Sequence, residues 1–131
     1  MSEPPLIAIV DDDEEVCEAL SDLLRVTGFA CRCFTGAEAF LENGAAANYD
    51  CVVTDVRMPV IDGIELQRRL RAEGSRVPFI FITSHRDPVT RRRALDAGAH
   101  AYLSKPVSGK ILLAHLRSAL DGERSPRGTE A

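Results

Sequence analysis

Short apolar runs alternate along this chain with segments whose apolar residues recur at helical spacing. The clearest runs are Leu6–Val10 and residues 78–83, and neither shows the polar alternation of a strand with one wet face. Continuous apolar strands of this length are typical of parallel sheets that helices cover on both faces. The alternation occurs five times and predicts one α/β domain with a flavodoxin-like (βα)5 sheet in the order 2-1-3-4-5.

The element boundaries follow from the same pattern. The other strands are predicted at residues 29–34, 50–54 and 99–103. The second helix is predicted to begin at a Thr35 cap, with Glu38 completing a capping box. Residues 1–121 are expected to form the domain, and 122–131 a disordered tail or the start of a linker. The helices are expected from about residue 16 to a stop at 28, from 35 to about 44, from 64 past 70, from 87 to 97 and from 107 to 120.

Length, charge and the lengths of the apolar runs argue against a nucleic-acid-binding or membrane-spanning protein. The 131 residues fit one domain, and the formal net charge of −4 differs from the strongly basic balance of nucleic-acid binders. Arg91, Arg92 and Arg93 are therefore interpreted as the outer face of the fourth helix, with a nucleic-acid contact as the alternative. No apolar run approaches the roughly 20 residues of a membrane helix, and the start lacks signal-peptide features. We therefore expect no membrane contact and a location in the cytoplasm.

The four cysteines carry no metal-ligand or redox signature. They are Cys17, Cys31, Cys33 and Cys51, and they include no Cys-x-x-Cys pair and no histidine at zinc-finger spacing. Cys31 and Cys33 are two residues apart and should share one face of a strand. We interpret all four as small core or near-core thiols that stay reduced in the cytoplasm.

Polar side chains follow the predicted strands at the points where the strands end. Asp11 and Asp12 follow the first strand, Asp55 the third and Lys105 the fifth, while Thr83 ends the fourth. In open parallel sheets, function gathers at the carboxyl ends of the strands. Strands one and three are neighbours in the predicted order, so the three carboxylates should lie close together.

Three close carboxylates repel one another unless a cation is present. Magnesium takes a few carboxylates and keeps open positions for water and phosphate, so the pattern predicts a Mg²⁺ site. The alternative for Asp11 and Asp12 is an ordinary acidic helix start, which favours the helix dipole. Lys105 should pair with these acids, although a lysine extending from a strand end into solvent is its alternative. Pro106 allows a cis peptide bond after Lys105.

Five short motifs occur in order at the ends of the predicted strands and around the fourth helix. They are Ile9-Val10-Asp11-Asp12-Asp13, Val53-Thr54-Asp55-Val56-Arg57-Met58-Pro59 with Asp62-Gly63, Phe81-Ile82-Thr83-Ser84, Ala97-Gly98-Ala99 and Ser104-Lys105-Pro106. Together they resemble the receiver domain of bacterial two-component response regulators, over about residues 6–120. The Arg-Met-Pro sequence further resembles receivers that are attached to helix-turn-helix transcription factors. The acidic, hydroxyl and lysine positions all match the family pattern.

The resemblance implies a phosphoacceptor rather than an enzyme acting on other substrates. Asp55 would take a phosphoryl group from a phosphohistidine on a sensor histidine kinase or phosphotransfer protein, and the domain would catalyse its own phosphorylation and dephosphorylation. Asp12 and Asp55 would bind Mg²⁺ together with the backbone carbonyl of Arg57. Asp11 would act on the metal through water.

The remaining roles concern the signal. Lys105 would pair with Asp55 or a phosphoryl oxygen, and Thr83 would hydrogen-bond the attached group. Tyr102 would then swing inward and change the face formed by the fourth helix, fifth strand and fifth helix, which is also a possible phosphorylation-dependent homodimer face. Arg57 and His85 would tune the phosphate lifetime, or else be solvated surface side chains. No direct nucleic-acid contact by this domain is expected.

Two other functions are compatible with the predicted fold. One is an interaction domain that keeps the fold but is never phosphorylated, which would bind no Mg²⁺ even with Asp12 and Asp55 intact. The other is a flavin- or nucleotide-binding enzyme. The sequence has neither Gly-x-Gly-x-x-Gly nor a phosphate-binding loop of the Walker type, which argues against the second alternative.

Overall fold

Five strands and five helices alternate along the chain in a computed structural model that describes residues 4–43, 48–84 and 87–124. Side chains are described up to residue 121. The strands are β1 (Leu6–Val10), β2 (Ala30–Phe34), β3 (Cys51–Thr54), β4 (Phe79–Thr83) and β5 (Ala101–Ser104). The helices are α1 (Glu14–Val26), α2 (Ala37–Glu42), α3 (Gly63–Ala72), α4 (Pro88–Asp96) and α5 (Gly109–Arg124).

The strands form one parallel sheet in the order β2-β1-β3-β4-β5. The predicted α/β class, flavodoxin-like order and parallel pairing are therefore confirmed. Because every strand runs the same way, the carboxyl ends of all five strands lie at one edge of the sheet. We call this the carboxyl edge, and it carries the residues singled out from the sequence.

The sheet separates two hydrophobic clusters, as the continuous apolar strands predict. One cluster contains Phe79 and Phe81 of β4 together with Leu66 and Leu70 of α3. Ile80, the β4 residue between them, points to the other cluster, which is covered by α1 and α5. Each fully buried side chain of this size stabilises the fold by about 1.5–3 kcal/mol. The two clusters therefore hold the strand ends in a fixed register.

Three helices begin at aspartates, but the predicted capping box is wrong. The N-cap of α2 is Gly36 in an extended conformation, with no side-chain cap, so Thr35 and Glu38 form no box. Asp13, Asp62 and Asp87 cap α1, α3 and α4 through their carboxylates.

The remaining boundaries differ by a few residues, as frayed ends commonly do. The fifth helix begins at Gly109 and continues to Arg124, which extends it past the predicted end at residue 120 and into the first residues of the predicted tail. Residues 125–131 of that tail lie outside the described residues. The peptide between Lys105 and Pro106 is cis, as the sequence allows. In the described part of the chain, no helix combines the length and apolar character that crossing a membrane requires.

Candidate functional site

The register of β1 against β3 sets Asp11 beside Asp55. Val10 pairs with Thr54, and the ladder continues past the strand ends because the Asp55 N–H donates to the Val10 carbonyl at 3.1 Å. The Asp11 N–H donates to the Phe34 carbonyl at 3.0 Å, which fixes its backbone against β2. Both aspartates are buried, at 3% and 8% exposed. Two neighbouring strands thus present two carboxylates at the carboxyl edge.

Lys105 bridges these two carboxylates. Its ammonium Nζ lies 2.9 Å from Asp55 Oδ2 and 3.1 Å from Asp11 Oδ2, and both contacts are hydrogen-bonded ion pairs. Its backbone N–H donates to the Thr83 carbonyl at 2.8 Å, so β4 positions the residue. Burial lowers the pKa of Lys105, but the hydrogen bonds and the negative charges of Asp55 and Asp11 together outweigh it, so the pKa lies above its ordinary value. The lysine is therefore a permanent cation at this edge.

Asp12 completes an acidic cluster with Asp11 and Asp55. One carboxylate oxygen from each of the three lies within 4.8 Å of the others, and Asp12 is the exposed member. Three carboxylates and one ammonium carry a formal net charge of −2. Hard oxygen donors at this spacing, with one side open to solvent, fit a magnesium ion.

Burial sets the proton affinity of Asp11. Removal from water raises the pKa of this carboxyl above its ordinary value, although the Asp13 N–H and Lys105 donate hydrogen bonds that favour the charged form. The neighbouring Asp55 carboxylate acts in the same direction as burial. A cation at this position would relieve both effects.

The backbone of Asp55 is held tightly from the other side. The buried Thr54 hydroxyl donates to the Asp55 carbonyl at 2.9 Å. Gly63 at the start of α3 packs so close that a Cβ atom there would lie 2.2 Å from that carbonyl oxygen. The Gly63 N–H donates to the Val56 carbonyl at 2.8 Å. The helix start and the end of β3 therefore fix Asp55 together.

Arg57, Thr83 and Tyr102 are the other predicted site residues that the structure describes. The Arg57 N–H donates to Asp55 Oδ1 at 3.4 Å, which places its peptide beside the Asp55 carboxylate. Thr83 is completely buried at the end of β4. Tyr102 is half-buried on β5, with its ring 6.2 Å from that of Phe81. His85, the other residue predicted to tune the phosphate lifetime, lies outside the described residues.

Sequence reasoning missed three residues that support this centre. Thr54 and Gly63 contact the Asp55 backbone, and Cys17 on α1 donates its thiol to the Asp11 carbonyl at 3.5 Å. Gly63 is identified from the sequence only as part of the Asp62-Gly63 motif. Its position directly after an aspartate that can cap a helix was the available signal that a close approach occurs there.

The family model described as the response regulator receiver domain matches residues 7–117. The chain belongs to this family. The resemblance inferred from the five motifs is therefore confirmed. The matched range begins one residue into β1 and ends inside α5, so it includes every residue of the site.

Curated relatives agree with this assignment. The chain is 42% identical over 115 residues to the response regulator protein TmoT of Ectopseudomonas mendocina, covering 88% of this chain and 52% of the relative. It is 37% identical over 130 residues to the transcriptional regulatory protein FixJ of Azorhizobium caulinodans, covering 99% and 61%. The chain thus spans about half to three fifths of the length of these relatives.

Solved structures show the same fold. Full-length FixJ from B. japonicum superposes with a TM-score of 0.87 at 35% identity, covering 98% of this chain and 63% of that one. The structure of FixJ-N has a TM-score of 0.83 at 33% identity, covering 95% and 98%. The similarity to transcriptional regulators agrees with the resemblance seen in the Arg-Met-Pro sequence.

Proposed function

We propose that this chain accepts a phosphoryl group on Asp55 from a phosphohistidine of a sensor histidine kinase or phosphotransfer protein, in a Mg²⁺-dependent reaction. The observation that carries the proposal is the Lys105 ammonium, which bridges Asp55 and Asp11 at 2.9 and 3.1 Å beside the open Asp12 carboxylate. This arrangement sets a carboxylate nucleophile next to fixed positive charge, at an edge that solvent and a partner can reach.

Phosphoryl transfer requires positioning and charge stabilisation more than covalent chemistry from the protein. A carboxylate oxygen of Asp55 forms a bond to phosphorus while the bond from phosphorus to the histidine nitrogen breaks, and that nitrogen keeps the electron pair. Lys105 stabilises the negative charge on the phosphoryl oxygens. The contacts of Thr54 and Gly63 with the Asp55 backbone keep the nucleophile in place during the transfer.

The acidic cluster supplies the proposed metal ligands. Asp12, Asp55 and the backbone carbonyl of Arg57 would bind Mg²⁺ directly, and Asp11 through water. When bound, Mg²⁺ neutralises charge on the transferring group and orients it. Without it, the cluster's net charge of −2 repels an incoming phosphoryl anion.

The attached phosphoryl group then acts as the signal. It adds acceptor oxygens that attract the Thr83 hydroxyl. Movement of Thr83 leaves space that Tyr102 fills, and the α4-β5-α5 face changes shape as a result. Arg57 and His85 tune how long the phosphoryl group survives. The setting of this reaction is the cytoplasm, as expected from the sequence.

Two outputs of the switch follow from this face. Val89 on α4 and Ile111 on α5 are 65% and 50% exposed, which suits a phosphorylation-dependent homodimer through α4-β5-α5. FixJ is named a transcriptional regulatory protein, so we propose transcriptional control as the final output. Light scattering of the protein before and after phosphorylation tests the dimer.

Phosphorylation itself is tested with acetyl phosphate, which needs no cognate kinase. We expect wild-type protein to gain one phosphoryl group by mass spectrometry with Mg²⁺ present and none with EDTA. Asp55→Asn should gain none, and the exposed Asp22→Asn on α1 should behave as wild type. Labelling of Asp55→Asn would overturn the choice of acceptor. If folded wild type neither takes label nor binds Mg²⁺, the unphosphorylated interaction domain is the better assignment.

A further inference from the structure

An open pocket of about 460 Å³ lies between α1 and β2, outside the acidic cluster. Two of the residues that line it are Cys17 of α1 and Cys33 of β2. The proposed phosphoryl transfer uses no thiol as a reactant, although the Cys17 thiol donates a hydrogen bond to the Asp11 carbonyl. The pocket is therefore a separate place where small-molecule chemistry can reach the protein.

Cys33 is the accessible thiol of the pair. It is exposed, and its Sγ lies 2.8 Å from the hydroxyl of Ser21. The same sulfur lies 3.3 Å from the backbone carbonyl oxygen of Cys17, to which it donates. These contacts hold the Cys33 thiol over α1, directly beside Cys17.

Cys17 is the buried partner. It is 3% exposed, and its thiol donates to the carbonyls of Asp11 at 3.5 Å and Phe34 at 3.8 Å. Burial, the charge of the nearby Cys33 and a side-chain hydrogen bond with Cys33 raise the pKa of Cys17 to about 12. The two thiols are thus direct neighbours across the interface of a helix and a strand.

A metal does not explain this arrangement. Over residues 4–43, 48–84 and 87–121, the one group of three or more His, Cys, Asp and Glu side chains close enough to share a metal ion is the acidic cluster. Cys31, the other nearby thiol, is buried and donates to the Ser21 carbonyl at 3.8 Å. Two adjacent thiols, one of them open to solvent, are instead suited to two-electron oxidation.

We propose that Cys17 and Cys33 are an oxidation site, and that hydrogen peroxide converts them to an intramolecular disulfide. The Cys33 sulfur attacks one peroxide oxygen, the O–O bond breaks, and Cys33 becomes a sulfenic acid as the first water leaves. The Cys17 sulfur then attacks the Cys33 sulfur, the S–O bond breaks, and the second water leaves with the last thiol proton. Two thiols lose two electrons and two protons, and one peroxide becomes two waters.

The charges of the pocket select a neutral oxidant. Glu14, Glu18 and Asp22 line it together with a single cation, Arg25, so its formal net charge is −2. An anionic oxidant such as glutathione disulfide is repelled by this charge, whereas peroxide is uncharged and small. Peroxide is therefore the class of oxidant that this site accepts.

The disulfide has a consequence for the acidic cluster, and this part rests on the proposed function. Forming the bond removes the thiol proton that Cys17 donates to the Asp11 carbonyl. The Asp11 backbone loses one of the contacts that fix it at the carboxyl edge. We expect the oxidised protein to bind Mg²⁺ about fivefold more weakly, which is the effect of losing one ordinary hydrogen bond.

The oxidation site is tested by mapping disulfides. Reduced protein is treated with stoichiometric hydrogen peroxide, quenched with catalase, unfolded, alkylated and digested with trypsin without reduction. Cleavage after Arg25 and Arg32 separates the Cys17 and Cys31 peptides, while Cys33 and Cys51 stay on one peptide. Mass spectrometry should show the Cys17 peptide joined to the Cys33 peptide, with Cys51 alkylated. The link should disappear in Cys33→Ser and persist in the matched control Cys31→Ser.

Different outcomes address the two parts separately. A link between another pair, or sulfinic acid on Cys33 with no link, would overturn the oxidation site. The cation effect is measured by titrating Mg²⁺ into reduced and oxidised protein, with Cys33→Ser treated in parallel. Equal affinity of both wild-type forms would overturn the coupling alone. If neither form binds Mg²⁺, the proposed function and the coupling both fail, and the mapped link still decides the oxidation site.

Discussion

Buried polar groups at the carboxyl edge differ sharply from the one buried inside α3. Asp11, Asp55 and Lys105 satisfy one another through two ion pairs at 2.9 and 3.1 Å. Gln67, one turn into α3, is completely buried, yet its side-chain oxygen and nitrogen have no hydrogen-bond partner among the described residues. Polar atoms are buried away from water in both regions. At the carboxyl edge they form hydrogen bonds with one another, whereas those of Gln67 have no partner among the described residues.

The two regions show that buried polar groups can be either unsatisfied or paired, with different consequences for stability and function. An unsatisfied buried amide costs about 1–3 kcal/mol and contributes no chemistry to the proposed site. A satisfied ion-pair cluster also costs desolvation, but it holds charge in a fixed place, which phosphoryl transfer requires. We therefore expect changes at the edge to destabilise the fold and changes at Gln67 to stabilise it.

The largest effect is expected at Gly63, where α3 meets the edge. Gly63→Ala places a Cβ atom 2.2 Å from the Asp55 carbonyl oxygen, so the helix start or Asp55 must move. We expect a loss of about 3 kcal/mol in the free energy of unfolding, as for severe overpacking, and slower phosphorylation from acetyl phosphate. Urea denaturation measures the first and mass spectrometry the second.

Gly36→Ala is the matched control for this substitution. A Cβ atom there meets nothing within 4 Å, and the residue has an extended backbone that alanine adopts without strain. The free energy of unfolding of Gly36→Ala should stay close to that of wild type. Equal stability of Gly63→Ala and Gly36→Ala would show that the edge tolerates more movement than its packing indicates.

The next effect concerns the ion pairs. Lys105→Met keeps the length of the side chain but leaves the buried carboxylates of Asp11 and Asp55 without their cation. We expect a loss of about 2 kcal/mol at pH 7 without divalent ions. Urea denaturation of Lys105→Met beside Lys110→Met, which changes an exposed lysine on α5, measures it. A variant as stable as wild type would show that desolvation of Lys105 cancels its ion pairs.

A gain is expected at Gln67. Gln67→Leu replaces the unpartnered amide with an apolar side chain of similar size among the buried residues of α3. The free energy of unfolding should rise by about 1–2 kcal/mol, with phosphorylation unchanged. Thermal and urea unfolding check the gain. A loss of stability would mean that the amide is satisfied in solution and that the contrast between the two regions is weaker.

The smallest effect is a pH dependence at the edge. Burial raises the pKa of Asp11 above its ordinary value of 3.8, so the folded state holds this proton more tightly than the unfolded state does. The corresponding stability is fully present below about pH 3.8 and is lost as pH rises through the folded pKa. The free energy of unfolding, measured in EDTA, should therefore fall less steeply with rising pH in Asp11→Asn than in wild type. Parallel curves would contradict the assignment of this loss to Asp11.

The sequence predicted the sheet and the members of the edge because both depend on local patterns. Apolar runs mark Leu6–Val10 and Phe79–Thr83 as buried strands, and chemistry at the carboxyl ends follows from their parallel order. The same local reasoning failed at Thr35. The extended backbone of Gly36 makes that glycine the helix cap, which a search for hydroxyl caps does not detect.

Contacts between distant segments were beyond prediction. Cys17 and Cys33 are separated by most of α1 and the start of β2, and their sequence spacing does not show that the helix packs the two thiols together. Whether the Gln67 side chain finds hydrogen-bond partners also depends on the residues that pack against α3. A polar residue at that position could equally have faced solvent.

Because Lys105 follows the last strand, the site can be completed only late in the synthesis and folding of the chain. Its ammonium joins Asp11 and Asp55 across sequence separations of 94 and 50 residues. Loops of that length close slowly because their entropy is lost before any contact forms. A nascent chain that has left the ribosome only as far as β4 can hold all three acids but not their cation. The two ion pairs can therefore form only after the polypeptide has been synthesised through β5 and Lys105.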